Sequence, residues 1–146
     1  MNTKIKEMKS INPLNNELIK EYSDYGTAEV RQIIQNANEA HNKWKRTTFG
    51  ERARKMKKAA EILLKNKQQY GGLISQEMGK IIKEAVSEVE KCAWVCNYYA
   101  ENAEDFLADE HIPTDDAESF VRYEPLGVIL SVMPWNFPFW QEFRFA

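Results

Sequence analysis

Apolar positions in the first part of the chain recur at intervals of three and four residues, the spacing of an amphipathic helix. The first such stripe follows Gly26, with Thr27 as the expected N-cap and Glu29 in the first turn. A second helix is predicted to begin at Thr48-Phe49-Gly50-Glu51, where Thr and Glu can form a reciprocal capping box. The predicted buried positions are Val30, Ile33, Ile34, Ala37, Ala40 or His41 and Trp44 in the first helix, and Met56, Ala59, Ala60, Leu63 and Leu64 in the second, with Tyr70 as a further candidate.

The longest stripe predicts one continuous helix from Ile82 to Phe106 that packs against its neighbours. A shorter helical piece is predicted before it, separated from the second helix by Gly71-Gly72 and ended by Gly79 as a left-handed C-terminal cap. The positions of the long stripe are Ile82, Ala85, Val89, Cys92, Cys96, Tyr99, Ala103 and Phe106.

Short β elements are expected on both sides of these helices. The turn-forming residues 12–16 lie between residues 4–11 and 17–22, and this arrangement predicts a hairpin. Residues 111–116 have the composition of a loop. Residues 119–124 are predicted to form an edge strand that needs a partner.

The run from Val128 to Met133 is apolar apart from Ser131. Because an antiparallel strand with one wet face would alternate apolar and polar residues, this run predicts a strand of a parallel sheet, buried on both faces. Pro138 suits the first turn of a following helix. The resulting order of strand, turn and helix places Asn136 at the carboxyl end of a strand, where open α/β sheets bind ligands.

Composition and charge exclude some classes of partner but do not indicate a reaction. The 146 residues are 43% hydrophobic and carry a net charge of -2, which indicates a packed core and argues against nucleic acid or an anionic membrane as a partner. The basic run in residues 52–58 has the spacing of a solvated helix face. There is no secretory signal and no apolar stretch of ~20 residues, so we expect a cytoplasmic protein.

Cys92 and Cys96 lie one helical turn apart, a spacing that could supply half of a metal site. His41 and His111 are far away in sequence and do not complete it. Because free cysteine is commonly buried, we predict that both thiols lie in the core and that there is no metal site.

The strongest chemical signal is Pro134-Trp135-Asn136-Phe137-Pro138, directly after a segment led by Gly-Val-Ile. This motif resembles the aldehyde dehydrogenase superfamily. Its extension Phe139-Trp140-Gln141 is similar to the succinate-semialdehyde dehydrogenase branch. The Asn12-Pro13 turn and Glu77-Met78-Gly79-Lys80 are further points of resemblance.

The resemblance implies an α/β fold in two parts. Residues 1–125 would contain the N-terminal hairpin, the helices and the strand of an arm used for subunit pairing. Residues 126–146 would supply the first strand, the turn and the start of a helix of a parallel, Rossmann-like nucleotide-binding sheet. The implied chemistry is attack of a cysteine thiolate on an aldehyde, hydride transfer to NAD or NADP, and hydrolysis of the thioester.

On this sequence, Asn136 matches the family's oxyanion donor, and Gln141 and Arg144 would contact the substrate. Arg144 would bind the distal carboxylate of succinate semialdehyde, with an ordinary surface arginine as the alternative. The alternative role of Asn136 is to cap the helix that Pro138 begins. The residues expected to line the cofactor channel are Val132, Met133, Pro134 and Trp135.

Members of this family are several times longer than this chain, and neither of its cysteines matches the family's nucleophile. We therefore expect a truncated N-terminal segment that is inactive alone. The small-molecule aldehyde substrate and the homo-oligomeric state would then belong to the whole enzyme. The alternative is a helical interaction module that docks on a partner protein through its apolar C-terminal segment.

Overall fold

The computed structural model describes residues 7–115 and 118–145. Residues 4–6 of the predicted hairpin, Asp116 of the predicted loop and the terminal Ala146 lie outside these ranges. The helices are α1 Thr27–Trp44, α2 Phe49–Lys65, α3 Lys67–Met78, α4 Ile82–Phe106 and α5 Pro138–Phe143. The strands are β1 Glu7–Ile11, β2 Leu18–Ser23, β3 Glu110–Ile112 and β4 Ser119–Val121.

The core lies between α2, α3 and α4, and α5 packs against it. Val89, Cys92 and Cys96 are fully buried at its centre, as the long stripe predicts. The other buried members of the core are Ala60, Leu63, Ile74, Ala85 and Ala93. Four of the positions predicted to be buried in α2 and α4 are wrong, because the side chains of Leu64, Ile82, Tyr99 and Phe106 are exposed.

The predicted break at Gly71-Gly72 is wrong, because α3 runs through both glycines and the interruption after α2 falls at Asn66. Gly71 is needed for close packing between helices. A Cβ built on it would lie 2.7 Å from Cγ2 of Val86, on α4. Gly79 adopts the predicted left-handed conformation, with φ of 72°, and ends α3.

The start of α2 is confirmed in detail. The Thr48 hydroxyl accepts a hydrogen bond from the Glu51 backbone N–H at 3.2 Å, and the Glu51 carboxylate accepts from the Thr48 N–H at 2.9 Å. The start of α1 is shifted by one residue from the prediction. Gly26 is the N-cap in place of Thr27, and its N–H donates to the Glu29 carboxylate at 2.7 Å.

The two β elements are both antiparallel hairpins. β1 pairs with β2, as predicted, with an irregularity between Ser10 and Ile11. β4 is shorter than the predicted strand over 119–124 and pairs with β3. β3 occupies part of the predicted loop over 111–116, because an edge strand without its own neighbour needs a partner for its backbone groups.

The strand predicted from Val128 to Met133 is not formed. A buried strand needs neighbours on its edges. The two sheets in residues 7–115 and 118–145 are two-stranded hairpins, and neither pairs with this segment. Ile129, Leu130 and Val132 are therefore 64%, 88% and 84% exposed. The apolar face predicted for α1 is also uncovered, since α1 has no buried residue.

Among the described residues, no helix is both long enough and apolar enough to cross a membrane.

Candidate functional site

The turn of residues 134–138 presents Asn136 at the surface, directly before α5. α5 has Phe137 as its N-cap and Pro138 in its first turn, which confirms the predicted role of Pro138. Asn136 is therefore not the capping residue. Within the described ranges its side-chain amide has no hydrogen-bond partner, so its N–H groups are free to donate to a ligand.

A buried ion pair lies behind this turn. Nζ of Lys80 is 2.5 Å from Oε2 of Glu88, and the two side chains are only 8% and 2% exposed. Lys80 follows the C-cap Gly79, and Glu88 projects from the second turn of α4. Burial of two charges is costly unless the pair also satisfies its remaining hydrogen-bonding groups.

The remaining bonds of the pair go to the turn. Oε1 of Glu88 accepts hydrogen bonds from the backbone N–H groups of Phe139 and Trp140, both at 3.0 Å. These are two of the N–H groups that the first turn of a helix leaves without an internal partner. Nζ of Lys80 lies 3.6 Å from the centre of the Phe137 ring and 3.4 Å from the carbonyl oxygen of Asn136.

Aromatic contacts hold the rest of α5. The Tyr70 and Phe139 rings lie 5.6 Å apart, and Nζ of Lys91 lies 3.9 Å from the centre of the Trp140 ring. Phe139, Trp140 and Phe143 pack against the core. The short helix is thus fixed by side chains that belong to α3 and α4.

The segment Glu77-Met78-Gly79-Lys80 joins several elements at this place. The Glu77 carboxylate accepts a hydrogen bond from the Ser10 hydroxyl at 2.8 Å, and this bond ties the first hairpin to α3. A Cβ on Gly79 would be 3.5 Å from the Pro13 ring. Lys80 then contacts the turn that carries Asn136. The Glu77-Met78-Gly79-Lys80 motif and the turn of residues 134–138 are far apart in sequence, but they are in contact in the fold.

The other predicted site residues surround the same turn. Trp135 is 73% exposed and lines a groove of about 430 Å³ between β1, the end of α3 and α5. Val132 and Pro134 are exposed and Met133 is half-buried. Gln141 is half-buried on α5, whereas Arg144 is the exposed C-cap of that helix, 5.4 Å from the centre of the Phe145 ring. Val132 to Asn136 therefore precede the N-terminus of α5, whereas Arg144 lies at its C-terminal end.

The two cysteines are core residues, as predicted. Burial, with a smaller effect of the Glu88 charge, raises the pKa of the Cys92 thiol to about 12. Burial also raises the pKa of Cys96. Because the thiolate is the nucleophilic form, neither thiol is suited to attack an aldehyde at neutral pH. The described part of the chain contains no cluster of His, Cys, Asp and Glu side chains that could hold a metal ion.

Sequence reasoning missed Lys80 and Glu88 as parts of the site. A signal for Glu88 was present, because it lies three residues after Ala85 and four before Cys92, on the buried stripe of α4. A carboxylate on such a stripe requires a partner. The identity of that partner could not be read from the sequence.

The family model of the aldehyde dehydrogenase family matches residues 1–144. The chain belongs to the aldehyde dehydrogenase family. The chain is 44% identical over 137 residues to the probable succinate-semialdehyde dehydrogenase [NADP(+)] of Synechocystis sp., covering 94% of this chain and 30% of the relative. It is 38% identical to the succinate-semialdehyde dehydrogenase [NADP(+)] of Deinococcus radiodurans, covering 94% of this chain and 29% of that protein.

Solved aldehyde dehydrogenases share the fold of this segment. The succinic semialdehyde dehydrogenase of Streptococcus pyogenes, solved in complex with NADP+, superimposes with a TM-score of 0.88 at 31% identity. The alignment covers 93% of this chain and 30% of that one. The predicted aldehyde dehydrogenase-like fold class is thereby confirmed, and the chain corresponds to an N-terminal segment spanning about 30% of these relatives.

Proposed function

We propose that this segment supplies the oxyanion-donor turn of an NADP-dependent aldehyde dehydrogenase that oxidises succinate semialdehyde to the dicarboxylic acid. The observation that carries the proposal is Asn136, whose amide is exposed and unpaired within the described ranges. The turn around it is held from behind by Lys80 and Glu88. The 44% identity to a probable succinate-semialdehyde dehydrogenase supports the choice of substrate.

Asn136 would act when the substrate carbonyl becomes tetrahedral. Its side-chain N–H would donate to the oxygen that gains negative charge, so it stabilises the transition state more than the ground state. Because its backbone is fixed in advance, little reorganisation is needed at that moment. The cysteine nucleophile must come from another part of the enzyme, since the pKa of the Cys92 thiol is raised to about 12 and Cys96 is fully buried.

The cofactor, when bound, accepts the hydride that leaves the substrate carbon. Val132, Pro134 and Trp135 are exposed and apolar, and this fits one wall of a cofactor channel. NADP is favoured over NAD because the matched relatives are named as NADP(+) enzymes. The role of these side chains is to exclude water beside the reacting carbon.

Arg144 would bind the distal carboxylate of the substrate. It is exposed at the end of α5, one and a half turns beyond the N-terminus of the helix that follows Asn136. A guanidinium can grip a carboxylate through two parallel hydrogen bonds. Gln141, three residues earlier on the same helix, would contact the substrate beside it.

The test is steady-state kinetics of an enzyme in which this segment is joined to the rest of the aldehyde dehydrogenase. Asn136→Ala should lower kcat by about 100- to 1,000-fold with a small change in KM. The matched control is Asn42→Ala, on the exposed surface of α1, which should leave kcat unchanged. An Asn136→Ala enzyme with normal kcat would refute the oxyanion role.

The same assay tests Arg144. Arg144→Leu should raise KM for succinate semialdehyde by about tenfold, the effect of losing a charged hydrogen bond. KM for an uncharged aldehyde of similar length serves as the internal control and should change little. Equal effects on both substrates would assign Arg144 to an ordinary surface role.

The 146 residues alone should not form NADPH from succinate semialdehyde, and a Cys92→Ser, Cys96→Ser double variant should behave the same way. NADPH formation that disappears in the double variant would make one of these cysteines catalytic.

The exposed apolar segment over 126–132 also suits the second proposal, a helical module that docks on a partner protein. A defined stoichiometric complex would favour that module, whereas heterogeneous association would favour a segment of the enzyme.

A further inference from the structure

Glu88 is a buried charged side chain in the core of the described residues. A carboxylate in such a place must be neutralised and fully hydrogen-bonded, or it destabilises the fold. Lys80 neutralises it, and the backbone N–H groups of Phe139 and Trp140 satisfy its second oxygen. Among the described residues, the hydrogen bonds and the cation–π contact that the pair makes beyond itself lead to residues 136–140.

These contacts flank Asn136 on both sides. Lys80 holds the Asn136 carbonyl and the Phe137 ring, while Glu88 holds the backbone after Pro138. Glu88 thereby performs, from another helix, the capping that Phe137 cannot provide to α5. A carboxylate at a helix N-terminus is also favoured by the helix dipole.

Little else defines the course of this turn. α5 has only six residues, and helices this short are not stable without outside contacts. Trp135 and Asn136 are exposed, and the preceding segment over 126–132 is largely uncovered. The packing of Phe139 and Trp140 against the core fixes α5, and both residues lie after Pro138.

We propose that Lys80 and Glu88 are positioning residues, which fix the backbone on both sides of Asn136 and so aim its side-chain amide. The catalytic role of that amide rests on the proposed function. The positioning of the turn does not depend on that function, and it can be measured in the 146-residue chain alone.

The test uses amide hydrogen exchange, measured by NMR, on a double variant. Removing one partner alone would leave an unpaired buried charge and risk unfolding, so Lys80→Met and Glu88→Leu are combined. Exchange at Phe139 and Trp140 should become about tenfold faster, because both amides lose a charged acceptor. The amides of Val89 and Cys92, in the core of α4, should change far less.

The matched control is the double variant Lys67→Met, Glu90→Leu. That ion pair joins α3 to α4, at 2.6 Å, and it does not touch the turn. It should leave exchange at Phe139 and Trp140 unchanged. A rescue variant, Lys80→Met with Glu88→Gln, keeps an acceptor oxygen and should restore part of the protection.

Three results would overturn the positioning role. The first is unchanged exchange at Phe139 and Trp140 in the Lys80→Met, Glu88→Leu variant. The second is acceleration by the same factor at Val89 and Cys92, which would mean that the pair merely stabilises the whole core. The third is a Lys80→Met, Glu88→Gln variant that restores none of the protection.

A double-mutant cycle, measured as kcat, separates the positioning role from the proposed function of Asn136. In the whole enzyme, the Lys80→Met, Glu88→Leu variant should lower kcat without raising KM for NADP. Combined with Asn136→Ala it should lower kcat no further, because both changes act through one side chain. If Asn136→Ala alone leaves kcat intact, the oxyanion role fails while the exchange result stands. If the effects are additive, the pair does not act through Asn136.

Discussion

At the residue scale, the core contains two kinds of buried ionisable side chain, a carboxyl group and thiols. Glu88 lies in the interior with Lys80 and two backbone N–H groups as hydrogen-bond partners. In the part of the chain that the structure describes, Cys92, one turn further along α4, has no such partner. Its pKa is raised to about 12, first by burial and then by the nearby Glu88 charge. The same helix therefore contains a buried carboxyl group with several partners and a thiol whose pKa is raised by burial.

The raised pKa of Cys92 predicts a loss of stability at high pH. The folded state retains the thiol proton above pH 9, the ordinary value for the group, whereas the unfolded chain releases it. The contribution is fully present below about pH 9 and is lost as pH rises towards 12, at about 1.4 kcal/mol for each pH unit. Urea unfolding at pH 8, 9.5 and 10.5 measures this slope.

Lysine and tyrosine side chains also titrate in that range, so the informative quantity is the difference from a Cys92→Ala variant. Cys92→Ala should be less stable at pH 8, because it leaves a cavity, and should lose less stability as pH rises. Parallel curves for the two proteins would show that Cys92 contributes no pH dependence.

At the level of elements, features that depend on neighbouring residues in sequence were predicted well. Features that depend on contacts between distant parts of the chain were not. The start of α2 was readable because its capping box involves only Thr48 and Glu51. The Gly71-Gly72 pair looked like a break, yet Gly71 serves the approach of α4, which sequence spacing does not reveal. The segment from Val128 to Met133 has the composition of a strand but lacks neighbouring strands in the described residues.

The two adjacent glycines of α3 should respond in opposite directions to alanine. At Gly71 the new Cβ would lie 2.7 Å from Val86 Cγ2 and 3.1 Å from the Val86 backbone N. Overpacking of this kind costs about 1–3 kcal/mol. At Gly72 a Cβ would meet nothing within 4 Å, so alanine should stabilise the helix by about 0.5–1 kcal/mol.

Thermal or urea unfolding of the Gly71→Ala and Gly72→Ala variants measures both effects under the same conditions. Both variants introduce alanine into the same helix, so each serves as the control for the general effect of a glycine-to-alanine change. A stabilised Gly71→Ala protein would mean that α3 and α4 can separate without cost at this point.

Across the whole molecule, the described residues divide into a packed part and an uncovered part. α2, α3, α4 and α5 share one core. α1 has no buried residue, and its Ile33 and Ile34 are 49% and 56% exposed. The apolar segment over 126–132 lies partly beside the end of α1, where Trp44 and Val128 line a groove of about 620 Å³. Contiguous exposed apolar surface of this kind promotes association.

The division predicts that the uncovered segment can be made polar without loss of stability. Leu126 and Leu130 are 92% and 88% exposed, so they contribute almost no buried area. The Leu126→Gln, Leu130→Gln double variant should unfold within about 0.5 kcal/mol of the parent, as is usual for surface substitutions. It should also self-associate less in sedimentation velocity, because the apolar patch is reduced.

Leu63→Ala is the contrasting variant, since Leu63 is only 4% exposed and belongs to the core. It should lose about 2–5 kcal/mol while leaving self-association of the folded chain unchanged. A double variant at Leu126 and Leu130 that loses more than about 1 kcal/mol would show that the segment packs against the core in solution. Unchanged self-association would show that Leu126 and Leu130 do not drive association, and the exposed Ile33 and Ile34 of α1 would be the next residues to replace.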